Sequence, residues 1–143
     1  MFIKKHKWYS IKVPVVALGS ISLNIILKIF FSRPRPVLPH LSEASGLSFP
    51  SGHAMMSFSF YGLILYLVWV GVQHKLLKYS LVLFLIVLIM VIGLSRVYLR
   101  VHYATDVIAG FALGIIWLII SITVLKRIEK FSGRKFNPLI EEN

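Results

Sequence analysis

Four apolar runs alternate with short polar clusters along the chain. The runs cover residues 13–31, 54–72, 80–94 and 107–125. A helix that crosses a bilayer needs about 20 mostly apolar residues. The first, second and fourth runs meet that length. The third meets it only by extending to about Leu99, which brings Ser95 and Arg96 into its last turns. The pattern predicts an all-α integral membrane bundle of four transmembrane helices. Pro14 stands near the start of the first run, where a first helical turn tolerates proline. There is no internal repeat and no low-complexity linker, so residues 1–143 read as a single membrane-embedded domain.

Composition agrees with this reading. Of 143 residues, 57% are hydrophobic, more than a soluble domain of this size carries. Absence of cysteine removes disulfides and thiolate chemistry. The net charge of +11 would suit nucleic acid, but the charges lie between apolar runs and not on one amphipathic face. Membrane lipids, some of them anionic, are the partners this distribution implies, and nucleic acid is not. The N-terminus is basic, yet the first run holds Asn24 and Lys28 and no small-residue cleavage site follows it. It therefore reads as a retained span and not a cleaved signal peptide.

The connecting segments set an orientation. One side collects eleven basic residues: Lys4, Lys5, Lys7, Lys12, Lys75, Lys78, Lys126, Arg127, Lys130, Arg134 and Lys135. The other side has five, Lys28, Arg33, Arg35, Arg96 and Arg100. Basic residues concentrate in cytoplasmic segments, so both termini are expected in the cytoplasm of a multi-pass cell-membrane protein. Three polar clusters then fall together on the outer side. They are Lys28 with Arg35-Pro36, the run Pro50-Ser51-Gly52-His53, and Ser95-Arg96 with His102 and Asp106.

Ionisable groups at membrane depth are costly and point to function. Lys28, Arg35 and Arg96 together suit a phosphate, with planar forks from the two arginines and a mobile point charge from the lysine. Taken alone, Lys28 is equally a snorkelling residue near a helix end, and Arg35 a loop cation meeting headgroups. Ser51 suits an N-cap, and the free N–H groups of a helix start attract anions, with Gly52 allowing close approach. Read singly, that tetrapeptide is more often a plain cap with an incidental histidine. His102 and Asp106 are four apart, so they share a face if a helix begins near His102. A carboxylate accepting Nδ1–H would leave Nε2 free to attack phosphorus. The competing reading of the pair is a buried hydrogen bond or a helix cap. His53 suits general acid work on the leaving oxygen. Two histidines and an aspartate could also bind a metal, but three cations in the same pocket oppose a divalent ion, so no metal and no cofactor is expected.

The three clusters, in order and with their internal gaps, resemble the signature of the type 2 phosphatidic acid phosphatase (PAP2) superfamily, in its bacterial membrane lipid phosphatase branch. The resemblance covers residues 28–114. It implies phosphate binding by Lys28, Arg35, Ser51, Gly52 and Arg96, with His102 as nucleophile, Asp106 orienting it and His53 as acid. It implies a lipid phosphate substrate, since similar bacterial members act on phosphatidylglycerol phosphate, phosphatidate or undecaprenyl pyrophosphate. Membrane members typically have six helices, two of them before the lysine-bearing one. The sequence before Lys28 is too short for those two, so the chain reads as the four catalytic C-terminal helices. A phosphotransferase using the same histidine, an inactive anionic-lipid-binding subunit and, more distantly, a haloperoxidase are the alternatives. Outside the signature, Arg33 and His40 sit on the outer loop beside the site, where contact with a headgroup is one reading and an ordinary solvated loop residue the commoner one. Gly110 and Gly114 form a small-xxx-small pair for close helix packing.

Overall fold

The computed structural model describes the backbone of residues 2–135 and the side chains of residues 12–131. The charge-bearing side chains of Lys4, Lys5, Lys7, Arg134 and Lys135 lie outside that set. Four helices make up the described chain: α1 (Phe2–Phe31), α2 (Gly52–Gly71), α3 (Lys75–Tyr98) and α4 (Ala104–Lys135). No strand occurs among the described residues. Each helix contains a stretch long and apolar enough to cross a membrane: Lys12–Phe31, Gly52–Gly71, Lys75–Tyr98 and Ala104–Phe131. In lipid every backbone polar group needs an internal partner, and a helix supplies it within one segment. Many large apolar side chains point outward, including Leu18, Ile25, Ile26 and Ile29 on α1 and Leu83, Phe84 and Val87 on α3. Such a surface belongs in hydrocarbon.

The predicted boundaries hold in two places and shift in two. Ser51 caps α2, its Oγ accepting from Ala54 N at 3.5 Å. The third helix runs through Ser95 and Arg96 to Tyr98, as its span required. Pro14, however, lies inside α1 and not in its first turn. It does stand in the first turn of the apolar span Lys12–Phe31. The helix continues outward because its basic N-terminal stretch needs no apolar face to propagate backbone hydrogen bonds. His102 also falls outside α4, which starts at Ala104.

α2 is the central helix, packed against the other three. Its contact with α4 is set by glycine. A Cβ on Gly110 would fall 2.7 Å from the Ser51 carbonyl oxygen, and one on Gly114 would fall 2.8 Å from that of Met55. Any larger residue would push the helices apart, so this is the close-packed face the small-xxx-small spacing predicted. The apolar centre comprises Val16, Leu63 and Leu118, with Tyr66 and Trp117 against them. Trp117 donates from Nε1 to the Val16 carbonyl at 2.9 Å, joining α4 to α1. Ser20 and Ser59 share a buried hydrogen bond of 3.1 Å between α1 and α2.

The chain direction alternates, so one end of the bundle collects the end of α1, the start of α2, the end of α3 and the start of α4. The loop of residues 32–51 closes over that end. Its Leu41 N–H donates to the Leu99 carbonyl at 3.1 Å, and Ser51 N–H donates to the Asp106 carbonyl at 3.0 Å. At the opposite end Lys12 pairs with Glu129 at 3.0 Å.

Candidate active site

All the polar clusters meet at the loop-covered end. Lys28, in the last turn of α1, donates from Nζ to the carbonyls of Leu47 at 2.6 Å and Ser48 at 3.2 Å. Arg35 is held by backbone carbonyls on two sides. Its Nη2 donates to Ser45 O at 2.9 Å, its Nε to Gly46 O at 3.1 Å, and its Nη1 to Val101 O at 2.7 Å. The same Nη1 lies 3.4 Å from His102 Nε2. The guanidinium is thus locked in place, with its plane set by the loop before any ligand arrives.

Arg96 sits in the last turn of α3. Its Nε donates to Ser95 Oγ at 3.1 Å. Its own carbonyl accepts from the N–H groups of Val101 at 3.2 Å and His102 at 3.3 Å. That backbone turn places His102 although α4 has not yet begun. Arg100 takes the left-handed conformation within it, at φ 59°.

His102 is buried, and Asp106, in the first turn of α4, is fully so. Burial lowers the His102 pKa from its ordinary 6.5 to about 4, with the charges of Arg35 and Lys28 acting in the same direction. Asp106 opposes them but does not prevail. The ring is therefore neutral at neutral pH, the state a nucleophile requires.

The geometry behind the ring differs from a simple His–Asp pair. Nδ1 of His102 lies 3.5 Å from Asp106 Oδ2, a stretched contact. That oxygen accepts a closer hydrogen bond from Ser48 Oγ and another from Tyr103 N at 3.0 Å. Arg33 donates to Oδ1 at 2.9 Å and to Thr105 Oγ1 at 2.9 Å, and lies 4.2 Å over the Tyr103 ring. Arg33 is therefore not an ordinary solvated loop residue, because a fully buried carboxylate needs a cationic partner. His40 does remain on the exposed loop, bonded to the Pro36 carbonyl at 3.0 Å.

Sequence reasoning missed both Ser48 and the pairing of Arg33. A trace of each signal exists. Ser48 is a small polar residue two positions before Pro50, and Arg33 is one of two arginines in Arg33-Pro34-Arg35-Pro36. Neither shows which partner it meets.

His53 lies in the first turn of α2, is exposed, and lines the mouth of an apolar cavity. Gly52 is close-packed too, since a Cβ there would lie 3.0 Å from Asn24 Oδ1 on α1. The first two N–H groups of α2, those of Gly52 and His53, have no acceptor within the helix and open towards the same end. No group of three or more His, Asp or Glu residues able to hold a metal gathers among the described residues. An apolar cavity of about 380 Å³ runs from His53 down between α1, α2 and α3, along Ala17, Ile21, Phe60 and Ile92.

The profile of the PAP2 superfamily matches residues 10–130. The chain belongs to the PAP2 superfamily. The curated relatives include the Bacillus subtilis protein named phosphatidylglycerophosphatase B, 37% identical over 120 residues, which cover 81% of this chain and 58% of that protein. They also include the Escherichia coli protein named putative undecaprenyl-diphosphatase YbjG, 33% identical over 111 residues, covering 74% of this chain and 52% of that one. The crystal structure of a transmembrane PAP2-type phosphatidylglycerolphosphate phosphatase from Bacillus subtilis superimposes with a TM-score of 0.72 at 34% identity. The match covers 81% of this chain and 58% of that one. The chain thus spans little more than half the length of the relatives it matches. Membership and the four apolar helices make this a multi-pass membrane protein of the PAP2 type.

Proposed function

We propose that this protein hydrolyses the phosphate ester or pyrophosphate of a membrane lipid through a phosphohistidine on His102. The observation that carries the proposal is the placing of a buried imidazole whose Nε2 is 3.4 Å from the Arg35 guanidinium, with a carboxylate behind its other nitrogen. A phosphate in front of Nε2 would meet Lys28, Arg35 and Arg96, and the N–H groups of Gly52 and His53 at the start of α2. Ser51 holds that helix start in position.

Nε2 attacks phosphorus and the bond to the lipid oxygen breaks. The bound phosphate offsets the cations around His53, so that the ring takes up a proton and delivers it to the leaving oxygen. Water then attacks the phosphohistidine with His53 as base, the N–P bond breaks, and inorganic phosphate leaves with the ring restored. The cations stabilise charge that builds on the phosphoryl oxygens in both steps, and Asp106 stabilises the positive ring. No step uses a metal. The apolar cavity leading from His53 supports a lipid substrate, because it offers a hydrocarbon chain a path into the bilayer. The names of the relatives point to phosphatidylglycerol phosphate and undecaprenyl diphosphate as first candidates. The excess of basic residues at the opposite end supports a site on the extracytoplasmic face and cytoplasmic termini.

Phosphate release from a panel of lipid mono- and diphosphates in detergent, with EDTA present, tests the reading. Release that is blocked by vanadate is expected. Binding of the lipids without release would replace it with an anionic-lipid-binding role. Activity lost on chelation and restored by a divalent metal would overturn the metal-independent route.

A further inference from the structure

The geometry points to Ser48 as a positioning residue that fixes the tautomer of His102 by bridging its Nδ1 to Asp106. The inference rests on the phosphohistidine reading for its kinetic consequence, but not for its structural one. Ser48 is completely buried and lies outside the three signature clusters. It is held by its own backbone, with its N–H donating to the Arg33 carbonyl at 2.8 Å and its carbonyl accepting from Lys28 at 3.2 Å. Its Oγ faces both Asp106 Oδ2 and His102 Nδ1, the latter at 3.3 Å.

Hydrogen-bond inventory decides the direction of each bond. A hydroxyl has one proton to give and two lone pairs, whereas an ionised carboxylate can only accept. Ser48 must therefore donate to Asp106, leaving lone pairs towards His102. Nδ1 then has only acceptors before it, the Ser48 oxygen at 3.3 Å and the carboxylate at 3.5 Å. It must carry the ring proton. On the other side, Nε2 faces a donor, Arg35 Nη1, and a proton there would set donor against donor. Both sides select the Nδ1–H form and leave Nε2 unprotonated, its lone pair on the side of Arg35. When Nε2 bonds to phosphorus, the ring becomes positive and keeps its Nδ1 proton. The hydroxyl dipole and the carboxylate then stabilise that charge without any proton being transferred.

The test combines NMR with kinetics on the full chain in detergent, labelled with ¹⁵N-histidine. His102 signals are assigned by their loss in His102→Ala. The parent should show Nδ1–H alone at neutral pH. Ser48→Ala should show mixed tautomers and a kcat lower by roughly 10- to 100-fold, by analogy with the loss of a partner that orients a metal-bound histidine. Its KM should stay within about threefold. Unchanged vanadate affinity would show that the cationic cradle is intact. Ser48→Thr keeps the hydroxyl and should restore both the tautomer and most of the rate. A parent with its proton on Nε2 overturns the inference, whether or not Ser48→Ala folds. So does a Ser48→Ala protein with pure Nδ1–H, or one with kcat within twofold of the parent. A parent that releases no phosphate from any lipid would sink the phosphatase reading alone, because the tautomer is read without turnover.

Discussion

Arg33 donates from Nη1 to Oδ1 of Asp106 at 2.9 Å, across 73 residues of sequence. One carboxylate oxygen is thereby committed to a loop cation, and only the other faces Ser48 and His102. The loop of residues 32–51 is thus tied to α4 through the same group that stands behind the candidate nucleophile.

Arg33→Gln removes the charge partner of a carboxylate that has no exposure to solvent. Losing one member of a buried pair costs about 3–5 kcal/mol, but Arg33 itself is partly exposed, which reduces the expected loss to about 1–2 kcal/mol. Thermal unfolding in detergent should show the lower stability. Arg100→Gln, whose side chain faces outward, serves as the control and should leave the midpoint in place. Equal midpoints for parent and Arg33→Gln would mean that Asp106 finds another partner.

His102→Ala should reduce phosphate release by several orders of magnitude while the helical content stays that of the parent. Circular dichroism and an assay of the same preparation measure both. Near-normal release would mean that another group attacks phosphorus.

The His102 ring should remain neutral well below the usual histidine range, with a midpoint near 4. Burial penalises the charged form, so the folded-state value lies below the unfolded value of about 6.5. The sign follows from proton linkage. Above the unfolded value the ring is neutral in both states and costs nothing. As pH falls from there towards 4 the unfolded chain takes up a proton that the folded chain does not, and stability declines. A ¹⁵N titration of the ligand-free protein measures the midpoint, and a value near 6.5 would contradict the buried environment described for the ring.

The loop carrying Ser42 should be accessible from outside the cell, and the α2–α3 connection carrying Gln73 should not. Both positions are exposed, and the chain contains no native cysteine. Ser42→Cys and Gln73→Cys can therefore be probed singly in intact cells with an impermeant thiol reagent. Labelling of Gln73→Cys but not Ser42→Cys would reverse the orientation and place the candidate site at the inner leaflet.

Hydropathy alone determined that the chain makes four spanning helices, because the cost of putting each side chain in lipid is nearly independent of its neighbours. Local chemistry determined the Ser51 cap and the end of α3 near Arg96. The Gly110–Gly114 spacing marked a close-packed face. The order and gaps of the three clusters named the candidate residues, and the alternation of chain direction placed them at one end. What those residues touch was decided by tertiary structure. The bond from Ser48 to Asp106 spans 58 residues, and the one from Arg35 to Val101 spans 66. Each depends on how closely α4 approaches α2 and on how the loop folds back over that end. A residue's type sets how many hydrogen bonds it can make, but only packing selects the partners. For that reason Arg33 looked like a solvated cation, Gly52 like an opening for phosphate alone, and Ser48 like nothing in particular.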